Sequence, residues 1–128
     1  MYTCIVCIGS NYDKEINLRL ARRRLTELFS SVRFADEEYT KPLHLFNPAL
    51  FFNQLVRFST EKEASVVILQ LKTIEKEAGR KPEDKMEEKV KLDIDLLMYD
   101  GTVLKQEDMN RKYVIDGLRQ LLGKDILI

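Results

Sequence analysis

Residues 50–79 read LFFNQLVRFSTEKEASVVILQLKTIEKEAG, and this stretch joins two elements of different type. Aromatic and branched residues dominate from 50 to 58, which predicts a strand. Residues 60–63 have the form of a capping box, in which a threonine oxygen and a glutamate three residues later bind the free N–H groups of a helix end. Apolar residues then recur at three- and four-residue spacing, which predicts a helix, and Gly79 is expected to end it. The recurring residues are Ala64, Val67, Leu71, Ile74 and Ala78.

The residues before this stretch predict a strand, a helix and a second strand. Residues 2–8 form an apolar strand that is closed by the turn Gly9-Ser10-Asn11. A helix is predicted from about 13 to 29, where leucine and alanine recur at helical spacing. The next strand is predicted from 32 to about 40, and a loop at 41–49 leads back to residue 50.

The residues after the stretch predict a loop, a strand and a last helix. Residues 80–89 are almost entirely polar, which predicts a mobile loop. A strand is predicted from 90 to 99, followed by the turn Asp100-Gly101. The last helix is predicted from about 109 to 122, and the apolar residues 126–128 would add a final strand or a packing segment.

The predicted order is β-α-β-β-α-β followed by a further helix. This is the split βαβ, ferredoxin-like arrangement, an α+β fold in which helices pack on an antiparallel sheet. A chain of 128 residues has the length of one domain with one core. No internal repeat or low-complexity linker divides it, so we expect residues 1–128 to form a single domain.

The composition excludes several classes of function. Lys+Arg and Asp+Glu number 21 each, so no bulk charge would hold a nucleic acid or a membrane surface. No apolar run approaches the roughly 20 residues that span a bilayer. Residues 1–8 lack the basic flank of a signal peptide. We therefore expect a cytoplasmic protein whose partners are small molecules.

The cysteines and the single histidine do not predict a reactive centre. Cys4 and Cys7 form a Cys-x-x-Cys pair, but on a strand this spacing points the two side chains to opposite faces. A redox pair would precede a helix directly, and a zinc site requires more ligands. We interpret both as core thiols. His44 has no matching serine or cysteine pattern, so nucleophilic catalysis is unsupported.

The segment Lys91-Leu92-Asp93-Ile94-Asp95-Leu96 carries the strongest chemical signal. Alternation places its apolar residues on one face of a strand, and Lys91, Asp93 and Asp95 on the other. The two carboxylates would lie roughly 6–7 Å apart along the strand, and their repulsion is unfavourable unless cations lie between them. Magnesium ions would fit there and would also bind phosphate oxygens. A half-buried strand whose polar face meets water explains the spacing equally well.

Nucleotide binding, if present, must rely on side chains rather than on a phosphate loop. Gly9-Ser10-Asn11 contains a single glycine, so it is neither a Walker loop nor a Rossmann turn. The candidate cations are Arg80, the lysines of residues 80–89, Arg111 and Lys112, and each is also explained as a solvated surface charge. In Phe51-Phe52-Asn53 one ring belongs to the core, and the other can stack on a flat heterocycle whose edge the amide reads.

Six short segments follow one another along the chain: Ile8-Gly9-Ser10-Asn11, Tyr39-Thr40, Phe51-Phe52-Asn53, Ile74-Glu75, Gly79-Arg80 and Leu92-Asp93-Ile94-Asp95-Leu96-Leu97. In their order and near spacing they resemble 6-hydroxymethyl-7,8-dihydropterin pyrophosphokinase over nearly the whole chain. That family transfers pyrophosphate from ATP to the hydroxymethyl group of the pterin in folate biosynthesis and releases AMP.

The resemblance implies a role for each matching residue. Asp93 and Asp95 would bind two magnesium ions and, with Arg80, form the catalytic set. The pterin would be contacted by Gly9, Thr40, Phe51, Asn53 and Tyr113, with Phe51 and Tyr113 as the stacking pair. ATP would be contacted by Lys72, Glu75, Arg80, Lys89, Lys91 and Arg111.

The chain departs from the family pattern before and after the aspartates. Where the family carries Trp-Gly-Pro-Arg-Thr, residues 87–91 are Glu-Glu-Lys-Val-Lys, and Pro82 stands where a second loop arginine is expected. Lys105 lies near the position of a family histidine. Lys89 and Lys91 would act as point charges, although lysine lacks the planar fork with which arginine clamps phosphate.

Three functions are consistent with these features. The first is an active, divergent pyrophosphokinase, acting as a monomer or a weak dimer. The second is a weakened or inactive paralogue that binds a nucleotide or a pterin and serves regulation or assembly. The third is an interaction domain, because this fold hosts many functions.

Overall fold

The computed structural model describes residues 1–41 and 49–123. Within these ranges one antiparallel sheet of six strands carries three α-helices. The strands are β1 (Tyr2–Ser10), β2 (Ser30–Phe34), β3 (Glu38–Thr40), β4 (Phe51–Thr60), β5 (Asp93–Tyr99) and β6 (Thr102–Val103), and the helices are α1 (Lys14–Leu28), α2 (Ala64–Glu77) and α3 (Lys112–Leu122). The sheet order is β2-β4-β1-β5-β6, and β3 pairs with the first residues of β4.

Alternation along the strands separates two cores on opposite faces of the sheet. Val56 and Phe58 of β4 belong to the core that contains the buried residues of α1 and α2. Leu55 precedes Val56, so its side chain points to the opposite face, and it belongs to the core that contains the buried residues of α3. Sequential elements therefore form the expected βαββαβ unit with a third helix on the second face, and the predicted ferredoxin-like α+β fold is confirmed.

The prediction of one strand from 32 to 40 is wrong, because β2 ends at Phe34 and β3 begins at Glu38. Between these strands, side chains form hydrogen bonds with the backbone of Ala35 and Asp36 and take the place of strand-to-strand hydrogen bonds. The Gln54 side-chain amide donates to the Ala35 carbonyl oxygen at 2.8 Å, and the Asp36 N–H donates to Gln120 Oε1 at 2.6 Å. The chain therefore bends here and re-enters the sheet at the opposite end of β4.

Two predicted element starts are also wrong. Strand β5 begins at Asp93 rather than Val90, because the backbone N–H and carbonyl of Val90 are paired with the side chain and backbone of Asn11. Helix α2 begins at Ala64, and Glu63 is its N-cap without a side-chain cap bond. Thr60 is the last residue of β4, and its hydroxyl accepts from the Lys62 N–H instead of capping the helix.

The remaining segments agree with their predicted types but not with all their bounds. Residues 82–85 form a 3₁₀ turn within the predicted loop, and its mobility stays a prediction. The last helix begins at Lys112 rather than 109, after a second 3₁₀ turn at 106–108.

The predictions for His44 and for residues 126–128 concern positions outside the described residues. None of the helices in the described ranges has the length and apolar composition needed to cross a membrane.

The two cysteines lie on opposite faces of β1, as the spacing predicts. Cys4 is fully buried in the core of α1 and α2, and Cys7 packs against the core of α3. Burial and the charge of Asp100 raise the pKa of the Cys4 thiol to about 11. Burial and the charges of Asp95 and Asp93 raise the pKa of Cys7 as well. Both thiols are therefore protonated at neutral pH, which suits core packing rather than redox chemistry.

Gly117 allows α3 to approach the sheet closely, and this requirement gives a stability prediction. A Cβ atom at Gly117 would lie 2.9 Å from both Cβ and Cδ2 of Leu55. We expect Gly117→Ala to lower the free energy of unfolding by about 1–3 kcal/mol through overpacking, in spite of the better helix propensity of alanine. Urea unfolding measures the change.

A double-mutant cycle tests the cause of this loss. Leu55→Ala removes Cδ2 and Cγ but keeps Cβ, so Gly117→Ala should be less costly in that background than in the parent chain, without becoming free of cost. Equal costs in the two backgrounds would contradict a contribution of Cδ2 and Cγ to the overpacking.

Candidate active site

The first of two large cavities lies between the sheet and the start of α3 and has a volume of about 680 Å³. We call it the strand cavity. Each residue that the sequence assigned to pterin or metal binding lines it: Gly9, Thr40, Phe51, Asn53, Asp93, Asp95 and Tyr113. Residues from four strands and one helix, far apart in sequence, thus reach a common space.

The second cavity has a volume of about 640 Å³ and lies between the C-terminal part of α2 and residues 80–90. We call it the loop cavity. Four of the residues assigned to ATP line it, namely Lys72, Glu75, Arg80 and Lys89. Phe51 lines both cavities, so the two spaces are neighbours.

Asp93 and Asp95 lie on β5 opposite Gly9 and Cys7 of β1, and both line the strand cavity. Burial of the Asp95 carboxylate, together with the charge of Asp93, raises the pKa of Asp95 to about 7. The pair is therefore electrostatically unfavourable when both groups are ionised, and a divalent cation would relieve the repulsion. Among residues 1–41 and 49–123 no three His, Cys, Asp or Glu side chains form a metal cage. A pair of carboxylates suits magnesium, which commonly takes one or two protein ligands and completes its shell with phosphate and water.

Arg80 connects the two cavities. Its Nη1 atom lies 2.9 Å from Asp93 Oδ1 and 3.0 Å from Glu75 Oε2. Burial lowers the pKa of Arg80, but its hydrogen bond to Asp93 and the charges of Glu75 and Asp93 outweigh this effect and raise the pKa above its ordinary value, so the guanidinium stays charged. The same side chain thus lines the loop cavity and holds a carboxylate of the strand cavity.

Glu75 has a structural partner in addition to Arg80. Its Oε2 atom accepts a hydrogen bond from the Ile94 N–H at 2.8 Å, between the two aspartates of β5. Burial raises the pKa of Glu75, while the Ile94 N–H and Arg80 lower it in part. The carboxylate therefore ties the last turn of α2 to β5.

The strand cavity combines rings with neutral hydrogen-bonding groups. The Asn53 side-chain amide donates to the Thr40 hydroxyl at 3.0 Å, and these side chains lie across the β3–β4 pairing. Burial raises the pKa of the Tyr113 hydroxyl to about 12, so it is a hydrogen-bond donor at neutral pH. A Cβ atom at Gly9 would meet Cε1 of Phe51 at 3.7 Å and thus occupy space beside the ring.

Four of the candidate cations are not brought into the loop cavity, and one of them, Lys112, lines the strand cavity instead. Arg111 lines the strand cavity, where its Nε lies 3.0 Å from Asp108 Oδ1. Lys91 precedes β5 and lines neither cavity, because its amino group donates to the Gly79 carbonyl oxygen at 2.9 Å. Lys105 also lines neither cavity, although its charge lowers the pKa of Asp95.

The sequence did not assign a role to Asn11, which the structure bonds to a segment that lines the loop cavity. Asn11 is buried, and its amide donates to the Glu88 carbonyl oxygen at 2.8 Å. Its Oδ1 atom accepts from the Val90 N–H at 2.6 Å. Glu88 has a positive φ of 53°, a conformation that is unfavourable for residues other than glycine. A buried Asn at the end of β1 therefore fixes a strained segment that lines the loop cavity, a role that only the long-range contact reveals.

Replacement of Asn11 by alanine is expected to release residues 88–90. The loss of its buried hydrogen bonds should lower the free energy of unfolding by about 1–3 kcal/mol and increase amide hydrogen exchange at Lys89 and Val90. Asn17→Ala is the matched control, since the buried Asn17 amide donates to the Tyr12 carbonyl oxygen rather than to residues 88–90. Equal exchange in the two variants would contradict the assigned role.

Comparisons with known proteins place the chain in a family. The model of the family 7,8-dihydro-6-hydroxymethylpterin-pyrophosphokinase matches residues 5–123. The chain belongs to this family, which is a family of pyrophosphokinases of folate biosynthesis that bind ATP and a pterin. The resemblance inferred from the sequence segments is thereby confirmed.

The other comparisons add little. No curated protein matches the sequence. Among solved structures, the de novo designed protein Foldit4 is 15% identical, covers 76% of this chain and 96% of its own, and has a TM-score of 0.35. No conclusion on fold or function follows from that similarity.

Proposed function

We propose that this protein transfers pyrophosphate from ATP to the hydroxymethyl oxygen of 6-hydroxymethyl-7,8-dihydropterin, with release of AMP. The observation that carries the proposal is the arrangement of the two cavities. They share Phe51, and the Arg80–Asp93 ion pair of 2.9 Å joins their linings. Two bound substrates would therefore meet beside the aspartates, which supplies the positioning on which phosphoryl transfer depends.

The strand cavity is the proposed pterin site. Phe51 and Tyr113 would stack on the flat ring, and the linked side chains of Asn53 and Thr40 would bind its polar edge. Gly9 would leave room for the ring beside Phe51. These groups are neutral, as suits an uncharged heterocycle.

The loop cavity is the proposed ATP site. Lys72, Arg80 and Lys89 would neutralise the phosphates, and Glu75 would hold Arg80 in place. Arg111 would reach the phosphates from the strand cavity once it leaves Asp108. Lys91 and Lys105 are proposed to act at longer range, since neither lines a cavity.

Asp93 and Asp95 would hold magnesium, two ions by the family resemblance. Magnesium supplies charge neutralisation at the phosphate oxygens. In the proposed reaction the hydroxymethyl oxygen forms a bond to the β-phosphorus of ATP, and the bond from that phosphorus to the α-β bridging oxygen breaks. Asp95 would accept the hydroxyl proton, and Arg80 would stabilise the charge that develops on AMP.

A weakened or inactive paralogue is the second candidate. Arg80 is the only arginine among the described residues that line the loop cavity. Lys89, near the expected arginine, is paired with Glu87 and lies 4.8 Å from the Tyr12 ring centroid. A charge held in local contacts contributes less to a transition state, so binding without turnover would favour this candidate.

The test is AMP formation from ATP, magnesium and 6-hydroxymethyl-7,8-dihydropterin. We expect AMP that requires all three components and disappears on chelation with EDTA. Calorimetry with each ligand accompanies the assay. Ligand binding with no AMP would overturn the enzyme assignment in favour of the paralogue, and no binding of either ligand would indicate an interaction domain. A cytoplasmic location, a single domain and a monomer or weak dimer are proposed with the enzyme.

A further inference from the structure

We infer that Asp84 and Lys91 are positioning residues of the donor site, which hold residues 79–91 in the conformation that forms the loop cavity. This inference rests on the proposed function, because it takes the loop cavity as the ATP site. It concerns an aspartate to which the sequence assigned no role, and a lysine that was expected at ATP but lines neither cavity.

Asp84 joins the beginning and the end of the segment that frames the loop cavity. Its Oδ2 atom accepts a hydrogen bond from the Lys81 N–H at 3.0 Å. Its backbone carbonyl oxygen accepts a hydrogen bond from the Lys89 N–H at 2.9 Å. All three residues line the cavity, so the relative position of its parts depends on contacts that Asp84 makes.

Lys91 extends this network to the end of α2. Its amino group donates to the Gly79 carbonyl oxygen at 2.9 Å and lies 3.5 Å from Asp84 Oδ2. A Cβ atom at Gly79 would meet Cδ of Lys91 at 3.8 Å, so the lysine side chain lies against the glycine. Gly79 has a positive φ of 88°, which turns the chain away from the helix. Lys91 therefore fixes the point at which the segment begins.

Both members of the pair are largely withdrawn from water. The exposed fraction of the side chain is 12% for Asp84 and 20% for Lys91. The hydrogen bond from the Lys81 N–H lowers the pKa of Asp84, and the charge of Lys91 lowers it further against the opposing effect of burial. The carboxyl group is therefore ionised at neutral pH. Removal of one member of a mostly buried ion pair leaves the other charge without compensation, so the contact resists opening.

The conformation of this segment determines where the proposed phosphate ligands lie. In the described part of the chain twelve residues line the loop cavity, and eight of them belong to residues 80–90. Arg80 and Lys89 are among the eight. A loop that is already ordered in its binding conformation raises affinity, because the cost of ordering it no longer opposes binding. Loosening of the segment should therefore weaken the binding of ATP.

Substitution of Asp84 separates positioning from a direct effect of charge. Asp84 itself lines the loop cavity, so the loss of its negative charge would by itself favour a polyphosphate. A direct charge effect thus predicts a lower KM for ATP in Asp84→Asn. Positioning predicts a higher KM, because asparagine does not provide the charge that holds Lys91.

The experiment measures kcat and KM for ATP with the full chain at saturating pterin and magnesium. We expect Asp84→Asn to raise KM for ATP by about tenfold, the factor that corresponds to one charge-assisted hydrogen bond. We expect kcat to change by less than about twofold, since neither residue is placed at the reacting atoms. Lys91→Gln should also raise KM, and the double variant should not exceed the larger single effect, because both substitutions break one contact.

Amide hydrogen exchange supplies a readout that is independent of turnover. Exchange at Lys81 and Lys89 should be faster in Asp84→Asn, because their N–H groups donate to Asp84. Glu83→Gln is the matched control, since it removes the same charge from the preceding residue, which lines neither cavity. The control should keep KM within about twofold of the parent value. A KM of Asp84→Asn at or below that of the parent, or unchanged exchange at both amides, overturns the inference.

Failure of the proposed function is distinguishable from failure of this inference. If no AMP forms, the enzyme assignment fails, and calorimetry with ATP and magnesium takes the place of KM. A dissociation constant about tenfold higher for Asp84→Asn than for the parent then supports the positioning role. Equal or tighter binding by the variant, or no binding of ATP to the parent, overturns it.

Discussion

Replacement of Asp95 by asparagine is expected to lower the rate of AMP formation by about 10³-fold, at the upper end of the loss seen when one positioned electrostatic group is removed. The substitution keeps the shape of the side chain but removes a charge from the pair that is proposed to hold magnesium. It also removes the proposed acceptor of the hydroxyl proton. Steady-state rates at saturating ATP and pterin measure the effect.

The Asp95→Asn variant should remain folded, and the raised pKa of Asp95 gives the sign of its effect on stability. The native structure raises this pKa from 3.8 to about 7. A carboxyl group whose pKa is raised in the native state destabilises the fold when it is ionised. This destabilisation grows as the pH rises from about 4 to about 7, and it is complete above pH 7. At pH 8 Asp95→Asn should therefore unfold at a temperature no lower than that of the parent.

Asp100→Asn is the matched control for this variant. Asp100 follows the same strand, lines neither cavity, and has a positive φ of 48° that asparagine tolerates. We expect it to keep full activity. Full activity of Asp95→Asn, or equal losses in the two variants, would remove Asp95 from the catalytic set.

Replacement of Arg80 by alanine is expected to lower kcat/KM for ATP by about 10²-fold, the loss typical of one positioned donor. Arg80 pairs with Glu75 and Asp93 at once, and it is the only arginine in the described lining of the loop cavity. Its removal would leave Asp93 without its cationic partner and the phosphates without a planar donor. Arg80→Lys should recover part of the loss, because lysine restores the charge but lacks the planar guanidinium and its additional N–H donors for phosphate oxygens.

Arg24→Ala controls for the loss of an arginine with two acidic partners. Arg24 pairs with Glu27 and Glu77 and lines neither cavity. Surface ion pairs of this kind contribute about 0–1 kcal/mol to stability, so activity and folding should both be nearly unchanged. Binding of the pterin, measured separately, should survive in Arg80→Ala, and a comparable loss of pterin binding would indicate general misfolding.

Element types and the two faces of β5 could be predicted from the sequence. Leu92 and Ile94 are buried in one core, and Asp93 and Asp95 line the strand cavity on the other side. The reason is that alternation along a strand is a local property of the backbone. Helices α1 and α2 were predictable for the same kind of reason, since their buried residues recur at the helical period.

The boundaries set by side chains could not be predicted in this way. Val90 looks like part of a strand, yet Asn11, 79 positions earlier in the chain, binds its backbone. Thr60 has a capping pattern but ends a strand. Lys91 has the charge expected of a phosphate ligand, but its amino group is bound to Gly79. Each result depends on a competing partner that is distant in sequence or lies in another element.

The class of fold, the family and the carboxylate pair follow from the amino-acid sequence, because periodicity and short segments are properties of neighbouring residues. The tertiary structure alone decided that the two cavities adjoin at Phe51, that Arg80 bridges Glu75 and Asp93, and that Gly117 must be small. These features arise from the packing of elements that meet only in the folded chain. Their distances depend on which buried polar groups find partners and on how closely backbones can approach.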